Sequence, residues 1–180
     1  MRVITGKYKG RHFDVPRSFK ARPTTDFAKE NIFNVLRSYL DFEDITAIDL
    51  FSGTGSITLE LLSRGCQYVV SVERDRQHFR FIQSVLREVG AENCRAVCGD
   101  ALRIIGHPTT AFDLVFADPP YALAEMSEMP DRVLSSGLLK PNGLFVLEHG
   151  KEHDFSNNPC FIEHRHYGSV NFSLFRKATE

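Results

Sequence analysis

A chain of 180 residues, 42% hydrophobic and 25% charged, has the length and composition of an ordinary globular protein with a sizeable core. No apolar run approaches membrane-spanning length, and Met1 to Lys20 is dotted with Lys and Arg and lacks an apolar signal core, so membrane and secretory classes are excluded and the cytoplasm is expected. The net charge of −1 hides an asymmetry: residues 1–25 carry Arg2, Lys7, Lys9, Arg11, Arg17, Lys20 and Arg22 against one acid, Asp14, which makes them a candidate phosphate-binding arm on a mildly acidic body.

In chain order, Arg2–Thr5 and Arg11–Val15 are short β-like runs around Gly6 and Gly10, the pattern of a hairpin. Pro16 and Pro23 punctuate the link that follows. Thr24 or Thr25 caps a predicted helix to about Leu40, with Ala28, Ile32, Val35, Leu36 and Tyr39 on one side. From there short apolar strands alternate with helices. Strands are predicted over Ala47–Phe51, Tyr68–Val72, Arg95–Cys98, Phe112–Ala117 and Leu144–Leu147, and helices over Ile57–Leu62, Arg76–Val89 and Met129–Ser135. This alternation implies parallel pairing with right-handed crossovers, and the near-continuous apolar strands imply a sheet covered on both faces. Phe161–Tyr167 and Val170–Phe175 flank Gly168-Ser169 as a closing hairpin. The expected fold is a doubly wound α/β sheet, mostly parallel, with an antiparallel C-terminal hairpin and a β-hairpin/helix extension at the start. Residues 1–180 are expected to form one domain that includes the basic extension over about residues 1–25.

The first motif is Asp49-Leu-Phe51-Ser52-Gly53-Thr-Gly55, at the carboxyl end of the first core strand, where open α/β sheets bind ligands. Glycines there let the chain turn tightly and let a ligand approach the backbone. Glu73 ends the second strand about twenty residues beyond the glycines, a position suited to accept hydrogen bonds from ribose hydroxyls. Asp100 follows the third strand and is placed to reach an adenine amino group. A dinucleotide site would look similar, but its third glycine is replaced by Thr58.

The second motif is Asp118-Pro119-Pro120-Tyr121, at the end of the fourth strand. An exocyclic amine on a base is a poor nucleophile because its lone pair is delocalised into the ring. A carboxylate and a carbonyl that accept its two N–H bonds free that lone pair. Asp118 and the Pro119 carbonyl offer such acceptors, two prolines stiffen the loop, and Tyr121 supplies a flat face for an extruded base. Other residues have structural readings. Cys94 and Cys98 share a strand face without metal-site spacing and are expected to be buried thiols. His149 is expected on the surface, and His164 with His166 on an edge strand.

Asp-Pro-Pro-Tyr after the fourth strand resembles the signature of class I amino-group methyltransferases. Arg2-Val-Ile-Thr-Gly6, Lys9-Gly-Arg11, Arg22-Pro-Thr-Thr-Asp26 and Glu30-Asn-Ile-Phe-Asn34 narrow the resemblance to the RsmD family of bacterial 16S ribosomal RNA guanine-N(2) methyltransferases. The resemblance implies methyl transfer from S-adenosylmethionine (SAM) to the 2-amino group of one guanine of 16S rRNA. It also implies S-adenosylhomocysteine as the product, no metal, and the assembled small subunit as substrate. By the same resemblance Asp49, Phe51, Gly53, Gly55, Glu73 and Asp100 line the cofactor, with Ser52, Arg74 and Ala101 beside them. Arg22 and Thr24 lie near its methionine end, and Asp118 to Tyr121 hold the base. Arg2, Lys7, Lys9, Arg11, Arg17 and Lys20 are the candidate RNA contacts. Rival readings are an adenine-specific DNA methyltransferase, a protein glutamine methyltransferase and a catalytically idle RNA-binding module. The absence of a large target-recognition insert opposes the first, the basic start the second, and Asp118 together with Glu73 the third.

Overall fold

The computed structural model describes residues 1–21 and 23–179. Arg22, expected beside the cofactor, lies outside the described residues. Helix α1 spans Asp26–Leu36, capped by Thr25, whose hydroxyl accepts the Ala28 N–H at 3.2 Å. Its buried side carries Ala28, Ile32, Phe33 and Leu36. The helix stops short of the predicted Leu40. Ser38 bonds back to the Val35 carbonyl at 2.6 Å, a local alternative to the helical ladder, and the chain enters a short 3₁₀ turn at Phe42–Asp44.

The core alternates as predicted: β1 (Thr46–Leu50), α2 (Ser56–Ser63), β2 (Tyr68–Glu73), α3 (Arg76–Val89), β3 (Cys94–Cys98), α4 (Ala101–Gly106), β4 (Phe112–Ala117), α5 (Met129–Ser135), β5 (Leu139–His149), β6 (Phe161–Tyr167) and β7 (Val170–Arg176). The sequence carries no periodic signal for α4, because six residues are too few to show one; its cap, Asp100, accepts the Leu102 N–H at 2.9 Å. Strand β5 also runs well beyond the predicted Leu144–Leu147, since its first residues are polar and interrupted by Pro141 and Gly143.

The sheet order is β3-β2-β1-β4-β5-β7-β6. β3 through β5 pair in parallel, and β7 lies antiparallel between β5 and β6. This is the class I SAM-methyltransferase fold. One apolar cluster gathers on the face covered by α1, α2 and α3, around Ile32, Leu61, Val69 and Phe116. A second gathers on the other face, around Ile48, Val115, Met129 and Phe145. The strand order reverses between β1 and β4, so a crevice opens at the carboxyl ends of those two strands. Among the described residues no helix is long and apolar enough to cross a membrane.

The opening residues do double back, but the expected hairpin reduces to one antiparallel bridge, Arg2 with His12, and three backbone bonds around it. The segment is held by α2 instead of by a ladder. Buried Glu60 accepts the N–H groups of Ile4 at 3.0 Å and Thr5 at 3.1 Å, and it pairs with Arg64 at 3.0 Å. The Ser63 hydroxyl accepts the Tyr8 N–H at 2.9 Å and donates to the Thr5 carbonyl. Lys29, buried on α1, donates to the Arg2 carbonyl and to Ser56 Oγ. Burial pulls the Lys29 ammonium below its ordinary value, with Glu60 opposing that shift. The expectation of two buried thiols on β3 is corrected: Cys94 is half-buried and Cys98 exposed, because β3 is the edge of the sheet.

Candidate functional site

A cleft of about 940 Å³ opens over the carboxyl ends of β1, β2, β4 and β5. The end of β1 builds its floor. Buried Asp49 accepts the Thr58 N–H at 3.0 Å and the Thr58 hydroxyl at 2.7 Å, tying the strand to α2. The residue at the position of a dinucleotide site's third glycine is therefore used for its side chain. Burial lifts the Asp49 carboxyl to about 7, against the lowering effect of the Thr58 and Ser52 bonds. Phe51 and Gly53 both take a φ of +58°, and a non-glycine residue held there marks a strained turn. Gly55, expected against the cofactor, does not line the cleft. It faces α3, where an added Cβ would lie 3.0 Å from Ile82, and its φ of +81° is one that side-chain-bearing residues rarely adopt.

The end of β2 supplies Glu73. One carboxylate oxygen accepts the Gly53 N–H at 2.6 Å and the other the Asp75 N–H at 2.9 Å. The two bonds fix its orientation, and each oxygen keeps a lone pair for a further donor. Ser52, Arg74, Ala101 and Asp100 also line the cleft, with Asp100 exposed at its lip. Lys20, Ala21, Pro23 and Thr24 form another wall, so the end of the basic arm borders the site. Arg2, Lys7, Lys9, Arg11 and Arg17 are exposed and lie outside the cleft; Arg2 pairs with Asp26 at 2.9 Å and Arg11 with Glu88 at 3.5 Å.

The end of β4 brings Asp118, Pro119, Pro120 and Tyr121 to the same cleft. The Asp118 N–H reaches the Leu50 carbonyl at 3.4 Å, joining this loop to the end of β1. Asp118 does not stand alone. Glu148 follows Leu147, the register partner of Ala117, so the two acids come side by side from neighbouring strands into one cleft, and the Tyr121 hydroxyl donates to Glu148 Oε1 at 2.8 Å. Burial first, then the Glu148 charge and hydrogen bond, push the Asp118 carboxyl well above the usual carboxylate range. Burial also raises Glu148, opposed by bonds from Tyr121 and Asp118. Two such carboxyls titrate as a pair that shares a proton. Tyr121 keeps a ring 41% exposed beside them.

Glu148 is the functional candidate that the sequence patterns do not reveal. The available signal was an acid ending the strand next to the one that carries Asp118. Its neighbour His149, expected on the surface, is buried on the opposite side, between Ser173 Oγ at 2.7 Å and the Gly150 carbonyl at 2.8 Å. His149 is enclosed by the rings of Phe155, His164 and His153, whose centroids lie 5.0, 5.8 and 6.2 Å from its own. His164 and His166 are exposed on the edge strand β6, as expected.

The family model described as Conserved hypothetical protein 95 matches residues 1–176. The chain is 30% identical over 183 residues to Ribosomal RNA small subunit methyltransferase D of Escherichia coli (strain K12), covering 100% of this chain and 91% of that one. It is 33% identical over 156 residues to the YlbH protein of Bacillus subtilis (strain 168), covering 84% of each. The solved structure of the Escherichia coli protein yhhF matches with a TM-score of 0.86 and 28% identity, over 100% of this chain and 99% of that chain.

Proposed function

The chain belongs to the family described as Conserved hypothetical protein 95, the RsmD family, and on that premise we propose that it methylates the 2-amino group of a guanine in 16S rRNA, using SAM. The observation that carries this reading is the meeting, in one cleft, of Glu73, the Phe51–Gly53 turn and the Asp118-Pro-Pro-Tyr121 loop. The name of the Escherichia coli relative supports the small-subunit RNA as substrate. The assembled subunit, in the cytoplasm, is the form we assign. Residues 1–180 act as one catalytic unit, with the basic start as its contact to RNA phosphates through Arg2, Lys7, Lys9, Arg11, Arg17 and Lys20.

The residues present fit SAM. Glu73 is oriented with free lone pairs for ribose hydroxyls, and a cleft lined by Asp49, Glu73, Asp100, Asp118 and Glu148 suits a ligand that carries a sulfonium. When bound, SAM supplies a methyl group activated by that sulfonium. The protein's own task is alignment and electrostatics, and orientation alone can contribute up to ~7–11 kcal/mol in favourable cases. Asp118, once ionised, accepts an N–H of the exocyclic amine while positive charge grows on the nitrogen. The Pro119 carbonyl accepts the second N–H, and the Tyr121 ring stacks on the base. The spent proton leaves to solvent.

The test is tritiated methyl transfer to small subunits that lack the modification. Asp118→Ala should keep SAM affinity nearly intact and lower turnover by ~100-fold or more, the scale for losing an interaction made in the transition state. Transfer by Asp118→Ala at the parent rate would remove Asp118 from the mechanism.

A further inference from the structure

Glu148 has no task in this scheme, although it lines the same cleft and its charge acts on Asp118. Its Oε1 is occupied by the Tyr121 hydroxyl at 2.8 Å. Its Oε2 is buried in the wall of the cleft, and among the described residues no N–H or hydroxyl group donates to it; only the neighbouring Asp118 carboxyl, while protonated, can do so. Once Asp118 is ionised, as the reaction requires, that oxygen is an acceptor sealed from water with nothing to accept, which is unfavourable unless a substrate donor meets it.

Guanine carries donors on adjacent atoms of one edge, the 2-amino group and the ring N1–H. Two carboxyls that follow the register pair Ala117 and Leu147 and line one cleft present acceptors side by side, which matches that pair of donors. Adenine also has an exocyclic amine, but its neighbouring ring nitrogen is an acceptor and would meet the carboxylate lone pair to lone pair. We propose, building on the guanine reading above, that Glu148 determines the choice of base: its free oxygen accepts the guanine N1–H while Asp118 accepts the 2-amino N–H. Tyr121 then has a second role beyond stacking, because its hydroxyl fixes which oxygen of Glu148 faces the base.

The test uses 2-aminopurine, which keeps the 2-amino group but has a bare acceptor at N1. The methylated position is first mapped by mass spectrometry, and small subunits are rebuilt on 16S RNA carrying guanine or 2-aminopurine there. The parent enzyme should favour guanine in kcat/KM by at least ~100-fold, since sites built around a substrate hydrogen bond reject analogues that lack it. Glu148→Gln can keep its carbonyl on the Tyr121 hydroxyl and turn its amide N–H toward the base, which suits 2-aminopurine. The preference should therefore fall at least ~10-fold in this variant, with SAM affinity and the unfolding midpoint unchanged. An unaltered preference in Glu148→Gln overturns the assignment. Equal parent rates on the two bases overturn it without any variant. If the mapped product is not a guanine, the guanine reading fails with it, and that result appears before the analogue is used.

Discussion

At the residue scale the site is a set of acids whose ionisation is set by one another. Asp118 is raised chiefly by burial and next by Glu148, with Asp49 adding to the effect, while Tyr121 and Asp118 lower Glu148 by donating to it. Glu152 is the other acid that acts on Tyr121. The sign for activity follows directly. A carboxyl with a raised pKa is protonated at lower pH, and only the ionised form accepts an amine N–H, so kcat/KM should rise with pH through the titration of the pair. Removing the Tyr121 hydroxyl takes away a bond that holds Glu148 down, so Tyr121→Phe should move this rising limb to higher pH while retaining the ring. A pH–rate profile on small subunits checks both statements. A limb that does not move in Tyr121→Phe would show that the hydroxyl is uncoupled from the catalytic pair. None of this coupling is legible along the chain, because Asp118 and Glu148 are thirty residues apart and meet only through the pairing of β4 with β5. Asp118, Glu73 and the glycine turn were legible because each closes a strand at the edge where ligands bind. Gly55 shows why such a reading is ambiguous, because a glycine that clears room for Ile82 looks the same in sequence as one that clears room for a ligand.

At the scale of elements, the strands and long helices announce themselves through apolar runs and caps, such as Asp75 and Gly90 at the two ends of α3. The N-terminal arm does so less, because only a few backbone bonds join its two runs while the N–H groups of Ile4, Thr5 and Tyr8 go to side chains of α2. Docking rests on Glu60 and Ser63, and on Gly6, whose φ of +96° and close approach to α2 leave no room for a side chain. A Cβ at Gly6 would lie 1.9 Å from the Ser63 carbonyl oxygen. Gly6→Ala should therefore loosen the arm and destabilise the protein by ~1–3 kcal/mol, the range for forced overpacking. Denaturant unfolding together with limited proteolysis of the first twenty-five residues checks this. An unchanged midpoint with unchanged protection would mean that the arm contributes no docking energy. Because Lys20, Ala21, Pro23 and Thr24 line the cleft, loosening the arm should also raise KM for the subunit.

At the scale of the whole molecule, the fold and the chemistry meet at the reversal of strand order between β1 and β4. Cofactor candidates come from β1, β2 and the start of α4, on one side of that reversal. Base-holding candidates come from β4 and β5, on the other. A methyl donor and an acceptor amine bound on the two sides would face one another across the crevice, which is the arrangement an in-line transfer requires. The basic arm lies against α2 and ends at the cleft, so RNA phosphates held by it would bring a base toward Tyr121. The central claim is that this crevice methylates the 2-amino group of a guanine, and the most direct measurement is mass mapping of 16S rRNA after unmodified small subunits are incubated with the protein and labelled SAM. The account predicts one N2-methylguanosine per subunit at a single position, absent with Asp118→Ala. Label on an adenine, on a ribosomal protein or on nothing at all would contradict it.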